Sequence, residues 1–334
     1  MSLARKIGNN IFKIAFSLFL GGAILVWMYH DFDFKHVGYV LLHKMDWTWM
    51  ILSFPFGILA QMIRGWRWHL ALKPTGEHCR NSVAVNSIFI SYASSLVIPR
   101  IGEFARCVML RRYDGVDFGK SLGTVVTERI VDSLLVMVIT LLTIIFQFKV
   151  FDTFFVRTGT SLDTIFMKFS TTGYIVTAIC GIAAIAIIWY VVRRMSVYSK
   201  VRDMLRGMWE GVISVRHMDN NVLYVLYTLG IWVCYFLHYY LTFFCFDATS
   251  NLGIDCGIVT FIVGSIAVIV PTPNGAGPWH FAVKTMLILY GVGSADALYF
   301  VLIVHSVQTL LVVLLGVIGW MWLSFTPKRV RQAV

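Results

Sequence analysis

Two short stretches carry much of the charge that this sequence places beside or within apolar runs. Arg100, Glu103 and Arg106 follow Pro99 at spacings of three, which on a helix brings side chains to nearly one face. An arginine can grip a phosphate through two parallel hydrogen bonds, and Glu103 would orient an arginine or accept a proton. The alternative is an ion-pair ladder that anchors the segment. Glu128, Arg129 and Asp132 lie about two turns into a long apolar run. A charge at the middle of a membrane helix costs roughly 2.5–3.5 kcal/mol on insertion scales, so three together demand partners or water. Glu128 and Asp132 share a face at i, i+4, and Arg129 reaches Asp132 at i, i+3. The group reads as a relay or lid for a cavity, or as a structural ion pair to a neighbouring helix.

Two proline breaks bear on the same chemistry. Pro99 ends one apolar run; Pro271, with Pro273, Asn274, Gly275 and Gly277, ends another. Backbone groups freed at membrane depth are tolerated only inside protein or beside a water-filled cavity. Past each break a new helix would start with its N-terminus pointing inward, and Pro278 suits the first turn of the second. Gly275 and Gly277 would let the backbone come close to an anionic headgroup at such a terminus. Two facing half-helices around a phosphate-bearing ligand are the functional reading; prolines that merely turn two hairpins are the other. His305 and Gln308 sit in the last apolar run, where His305 would either titrate near neutrality or serve as a hydrogen-bonded structural residue. Asn86, His280 and Lys284 line the segments on either side of the breaks. Gln61, Arg64 and Arg67, among Trp66 and Trp68, read as an interfacial anchor.

Composition says what must position these groups. Of 334 residues, 58% are hydrophobic and 13% charged, with mean hydropathy +0.76. Soluble domains are about one-quarter charged, so the expected class is an all-α polytopic membrane protein forming one domain over 1–334. A net charge of +11 would suggest nucleic acid in a soluble protein. Here the basic residues cluster at the ends of apolar runs, which points to membrane orientation and anionic headgroups instead. Full spans need about 20 apolar residues. Six segments qualify, near 11–29 (a retained signal anchor), 48–70, 121–148, 172–192, 221–246 and 296–323.

Charge placement decides the two interrupted segments. If 82–98 crossed fully, Arg100, Arg106, Arg111, Arg112 and Lys120 and then the cluster at Arg193, Arg194, Lys200, Arg202, Arg206 and Arg216 would both emerge outside, against the positive-inside rule. If 82–112 and 257–292 are re-entrant hairpins from opposite faces, every basic cluster falls inside. The expectation is therefore six spans, two re-entrant hairpins, both termini cytoplasmic, and a cytoplasmic amphipathic helix near 197–217. Ser95 to Glu103 also resembles Ala267 to Gly275, which suggests an inverted repeat.

HExxH, nucleophile-elbow and P-loop motifs and a Cys/His metal set are missing from the sequence, so no enzyme activity, cofactor or metal is expected. Asn86, the Pro99-Arg100-Ile101-Gly102-Glu103 run with Arg106, Thr127-Glu128-Arg129 with Asp132, and Pro273-Asn274-Gly275-Ala276-Gly277 together resemble the flippase-like, or lysylphosphatidylglycerol synthase transmembrane region, family. The resemblance covers nearly the whole chain. It implies a bacterial inner-membrane protein related to the lipid-translocating half of aminoacyl-phosphatidylglycerol synthases. Those two-part proteins also carry a soluble aminoacyl-transfer domain, and an end at Val334 leads one to expect that activity to be absent. Asn274 stands where the family usually has a second glycine, and His280 where many members have glutamate. The expected partner is a membrane lipid: an anionic phospholipid, an aminoacylated derivative or a polyprenyl-phosphate carrier. A lipid-headgroup enzyme and a non-catalytic partner of a glycosyltransferase or synthase are the other function classes. Oligomeric state is left open.

Overall fold

The structure is a computed structural model that describes residues 22–30, 34–148 and 220–329. The expected span at 172–192, the amphipathic helix at 197–217 and most of the first span lie outside the described residues. Within them, helix is the only regular structure.

Eight helices of twelve residues or more follow in order: α1 (Trp47–Leu72), α2 (Asn81–Val97), α3 (Ile101–Asp114), α4 (Phe118–Phe146), α5 (Asn221–Tyr240), α6 (Ile254–Ala267), α7 (Pro278–Leu289) and α8 (Ser294–Phe325). Side-chain caps start three of them. Asp46 accepts from Thr48 N, Asp117 from Lys120 N and Asn220 from Leu223 N, at 2.8, 2.9 and 2.9 Å, each satisfying one of the free donors of a first turn.

Three stretches are long and apolar enough to cross a membrane: Phe118–Phe146, Asn221–Cys245 and Ser294–Phe325, as the sequence predicts. Their outward faces are continuous apolar stripes, with Leu134, Met137, Val138, Leu141 and Ile145 on α4 and Leu310, Val313, Leu314, Val317 and Ile318 on α8. That repeat of three and four is one helical face, here turned to lipid. α1 has 26 residues, about 39 Å at 1.5 Å per residue. Its C-terminal half is too polar for an ordinary span, because it carries Gln61, Arg64 and Arg67.

The two broken segments fold as helical pairs with different joints. α2 and α3 turn through Pro99 and Arg100, whose backbone is left-handed at φ 63°. The limbs press together at the tip, where Gly102 N donates to Ser95 Oγ at 3.2 Å and a Cβ on Gly102 would collide with Ser91 O. At their outer ends Arg80 binds the pair shut: its Nε donates to Asp114 at 2.7 Å and its Nη2 to Tyr113 O at 3.1 Å. Arg80 also reaches Pro327 O at 2.9 Å, so the end of α8 joins this end of the bundle. α6 and α7 are joined by the turn Pro273–Gly275 and flanking residues, with left-handed backbone at Asn274, Gly275 and Gly277. Their outer ends lie at the opposite end, where Asp46 N donates to Cys245 O at 2.9 Å and Met45, Phe246, Val292 and Phe300 form one core cluster. The two tips meet in between: Arg100 Nη2 donates to Ile269 O at 3.4 Å.

α8 packs against α2 through small residues. A Cβ on Gly319 would come 2.9 Å from Asn86 O, and Gly316 sits against Ala93, the close backbone approach that membrane helix pairs use.

Candidate functional site

A cavity of about 450 Å³ opens where the tips approach α1, α4, α5 and α8, within the range of about 300–1,000 Å³ typical of small-ligand sites. One wall is charged: Gln61 and Arg64 from α1, Arg129 and Asp132 from α4. The rest of the lining is aromatic and neutral-polar: Trp232 and Tyr235 from α5, Trp279 from α7, Asn274 from the second tip, and His305 and Gln308 from α8.

Behind the charged wall runs a buried ion network. Asp132 accepts from Arg64 Nη1 at 3.0 Å and from Arg67 Nη1 and Nη2 at 2.7 and 3.2 Å. Arg67 Nε lies 3.7 Å from Glu128, whose other oxygen pairs with Arg106 Nη1 at 2.8 Å. Glu103 pairs with Arg129 at 3.2 Å. Rings back the guanidiniums: Arg106 lies 4.6 Å from the Trp68 ring centroid, and Arg64 lies 5.9 and 5.7 Å from Tyr92 and Tyr235, a favourable placement over π faces. Four arginines thus meet three carboxylates, and one positive charge is left over. Arg64 Nε, Gln61 Oε1 and Trp232 Nε1, all on cavity-lining residues, are buried without a hydrogen-bond partner. Buried polar groups are rarely left so.

Of the residues singled out in the sequence, Arg129, Asp132, Asn274, His305 and Gln308 line the cavity. Asn86, Pro99, Arg100, Glu103, Arg106, Glu128, Pro273, Gly275, Gly277 and His280 stand outside its wall. Asn86 donates to Ser82 O at 2.7 Å and faces α8. His280 is buried behind His305, ring centroids 4.5 Å apart, with Nδ1 accepting from Gly277 N at 3.4 Å.

Three expectations need correction. Arg100 does not share a helical face with Arg106: it precedes α3 in a left-handed conformation at the hairpin tip, while Arg106 is 1% exposed and held by Glu128. Arg129 pairs with Glu103 rather than reaching Asp132 along its own helix, because Asp132 already holds two arginines from α1. Gln61, Arg64 and Arg67 are not an interfacial anchor; they are 5, 2 and 0% exposed and supply the cationic half of the network. The spacing of three places them on one face of α1, but nothing local says whether that face meets headgroups or carboxylates.

The family model described as the lysylphosphatidylglycerol synthase TM region matches residues 10–316. The chain belongs to that family. A comparison with curated proteins and one with solved structures each return no match. In this member of the lysylphosphatidylglycerol synthase TM family, the second tip turns on an asparagine. Asn274 has φ 53°, and asparagine is among the few side-chain-bearing residues that visit that region readily. Its Nδ2 donates to Thr309 Oγ1 at 2.6 Å, and its carbonyl lies 3.1 Å from His305 Nε2, so the second tip is pinned to α8.

A Cys–His pair at one end of the bundle, Cys79 Sγ 3.4 Å from His69 Nδ1, has the composition of a nucleophile and base. Burial pushes the Cys79 thiol up to about 12, which keeps it protonated and unreactive near neutral pH.

Proposed function

We propose that this family member is a membrane lipid transporter that binds the phosphate of a polar-headed lipid in the central cavity and moves it between leaflets. The observation that carries the reading is the unbalanced charge: three carboxylates against four arginines beside a cavity with unpartnered donors. A buried cation without a counter-charge is costly, and a lipid phosphate supplies the missing negative charge while its acyl chains stay in the bilayer. The position between two hairpin tips is where discontinuous helices place substrates in transporters. The left-handed backbone of Arg100 at the first tip adds to this, since such strain clusters at functional sites.

In the membrane, the helical pairs α2–α3 and α6–α7 serve as re-entrant hairpins from opposite faces, related as an inverted repeat. Six full spans complete the fold, and both termini lie in the cytoplasm of a bacterial inner membrane. Charge supports the orientation. The Arg80 end carries Lys73, Arg80, Arg111, Arg112, Lys120, Lys328 and Arg329 against Glu77, Asp114 and Asp117, and the other end carries Lys44 against Asp46, Asp247, Asp255 and Asp296.

The test is the purified protein in vesicles with a labelled phospholipid. A transporter moves label between leaflets without changing its mass. Altered lipid mass would establish an enzyme instead, and neither effect would point to a partner protein.

A further inference from the structure

Resting on that lipid-site reading, the lining of the cavity also specifies what the phosphate carries. We propose that the cavity selects a phosphate-bearing lipid whose headgroup is uncharged and rich in hydroxyls, a glycerol or sugar, and rejects headgroups that carry an amine.

The carboxylates near the cavity are already engaged. An ammonium group needs a negative partner when it leaves water. Among the described residues Asp132 is the one carboxylate in the cavity wall, and it is held by Arg64 and Arg67 at 2.7–3.2 Å. Glu128 and Glu103, just behind, are held by Arg106, Arg67 and Arg129. An amine in this space would find no free acceptor of charge and would lie beside Arg64 and Arg129, a like-charge arrangement that works as rejection. Of the cavity rings, Tyr92 and Tyr235 already face the Arg64 guanidinium and are not free to receive a second cation.

The unmet hydrogen-bonding groups in the lining are of both kinds. Gln61 Oε1 needs a donor; Trp232 Nε1 and Arg64 Nε need acceptors. Gln61 is 95% buried by its 5% exposure, so the unmet oxygen carries the cost of lost solvation. A hydroxyl donates and accepts at once, whereas an ammonium only donates. A polyol beside its phosphate therefore meets both needs, the phosphate taking the Arg64 side and the hydroxyls reaching Gln61 and Trp232. Trp279 adds a flat apolar surface against which the C–H faces of a sugar or glycerol can lie.

The test compares three lipids with the same acyl chains on the purified protein by native mass spectrometry: phosphatidylglycerol, lysyl-phosphatidylglycerol and phosphatidic acid. Phosphatidylglycerol is expected to bind about tenfold tighter than lysyl-phosphatidylglycerol, a difference of about 1.4 kcal/mol, and several-fold tighter than phosphatidic acid, which lacks the hydroxyls. Gln61→Leu and Trp232→Phe should each shrink the advantage over phosphatidic acid, with melting temperatures recorded so that unfolded protein is not counted. Equal or tighter binding of lysyl-phosphatidylglycerol overturns the selectivity while leaving the lipid site intact. No phospholipid binding that responds to Arg129→Gln overturns the lipid-site reading itself.

Discussion

Asp132→Asn removes the charge that holds two arginines of α1 against α4. In the folded protein Asp132 accepts three hydrogen bonds from Arg64 and Arg67, which are 2 and 0% exposed. The asparagine keeps one accepting oxygen but no charge. Glu128 would then stand alone against Arg64, Arg67 and Arg106. Taking one partner from a buried ion pair destabilises by about 3–5 kcal/mol. Each kcal/mol shifts melting by roughly 2–4 °C in a domain of about 200 residues, so a drop on the order of 10 °C is expected for the detergent-solubilised protein. Arg64→Gln in the same background should recover part of the loss, because the pair is in contact and the two changes are not additive. Thermal melting followed by size-exclusion chromatography reads both. An Asp132→Asn protein melting within about 2 °C of wild type would refute the claim that this network holds α1 to α4.

Arg106→Leu should destabilise by about 3 kcal/mol or more, because Glu128 keeps only the 3.7 Å contact to Arg67, which thermal melting checks. Gly102→Ala should cost about 1–3 kcal/mol, because its methyl group has no room against Ser91 O at the first tip; a neutral effect on melting would mean the tip is looser than described. In a cysteine-free background, a thiol reagent should reach Asp117→Cys from the cytoplasmic side only and Ser250→Cys from outside only, and protection of Ser250→Cys in intact cells would contradict the orientation.

The long apolar helices were legible because composition alone identifies them: α4, α5 and α8 start and end within a few residues of the runs seen in the sequence. Pro99 and Pro271 likewise marked the two breaks, since proline disfavours helix at its own position and the one before it, although α1 carries Pro55 without ending. The ion pairs were not legible. Arg64 and Arg67 lie near the end of an apolar run between tryptophans, and that pattern reads the same whether the side chains face headgroups or carboxylates. Only the packing of α1 against α4 distinguishes them. The spacing of Arg100 and Arg106 misled for a different reason: it assumes that the helix begins at Arg100, whereas the left-handed residue at the turn rotates Arg100 away from the face that Arg106 occupies. The aromatic wall from Trp232, Tyr235 and Trp279 comes from two helices far apart in sequence, and nothing local marks those rings as neighbours.

The central claim is that the cavity beside the arginine network holds a phosphate-bearing lipid. Mass spectrometry of lipid bound to the purified protein, compared with the doubly substituted Arg64→Gln, Arg129→Gln variant, tests it most directly. The account predicts a phosphate-bearing lipid retained by the wild-type protein and lost from the folded variant. Equal retention of that lipid by both would contradict it.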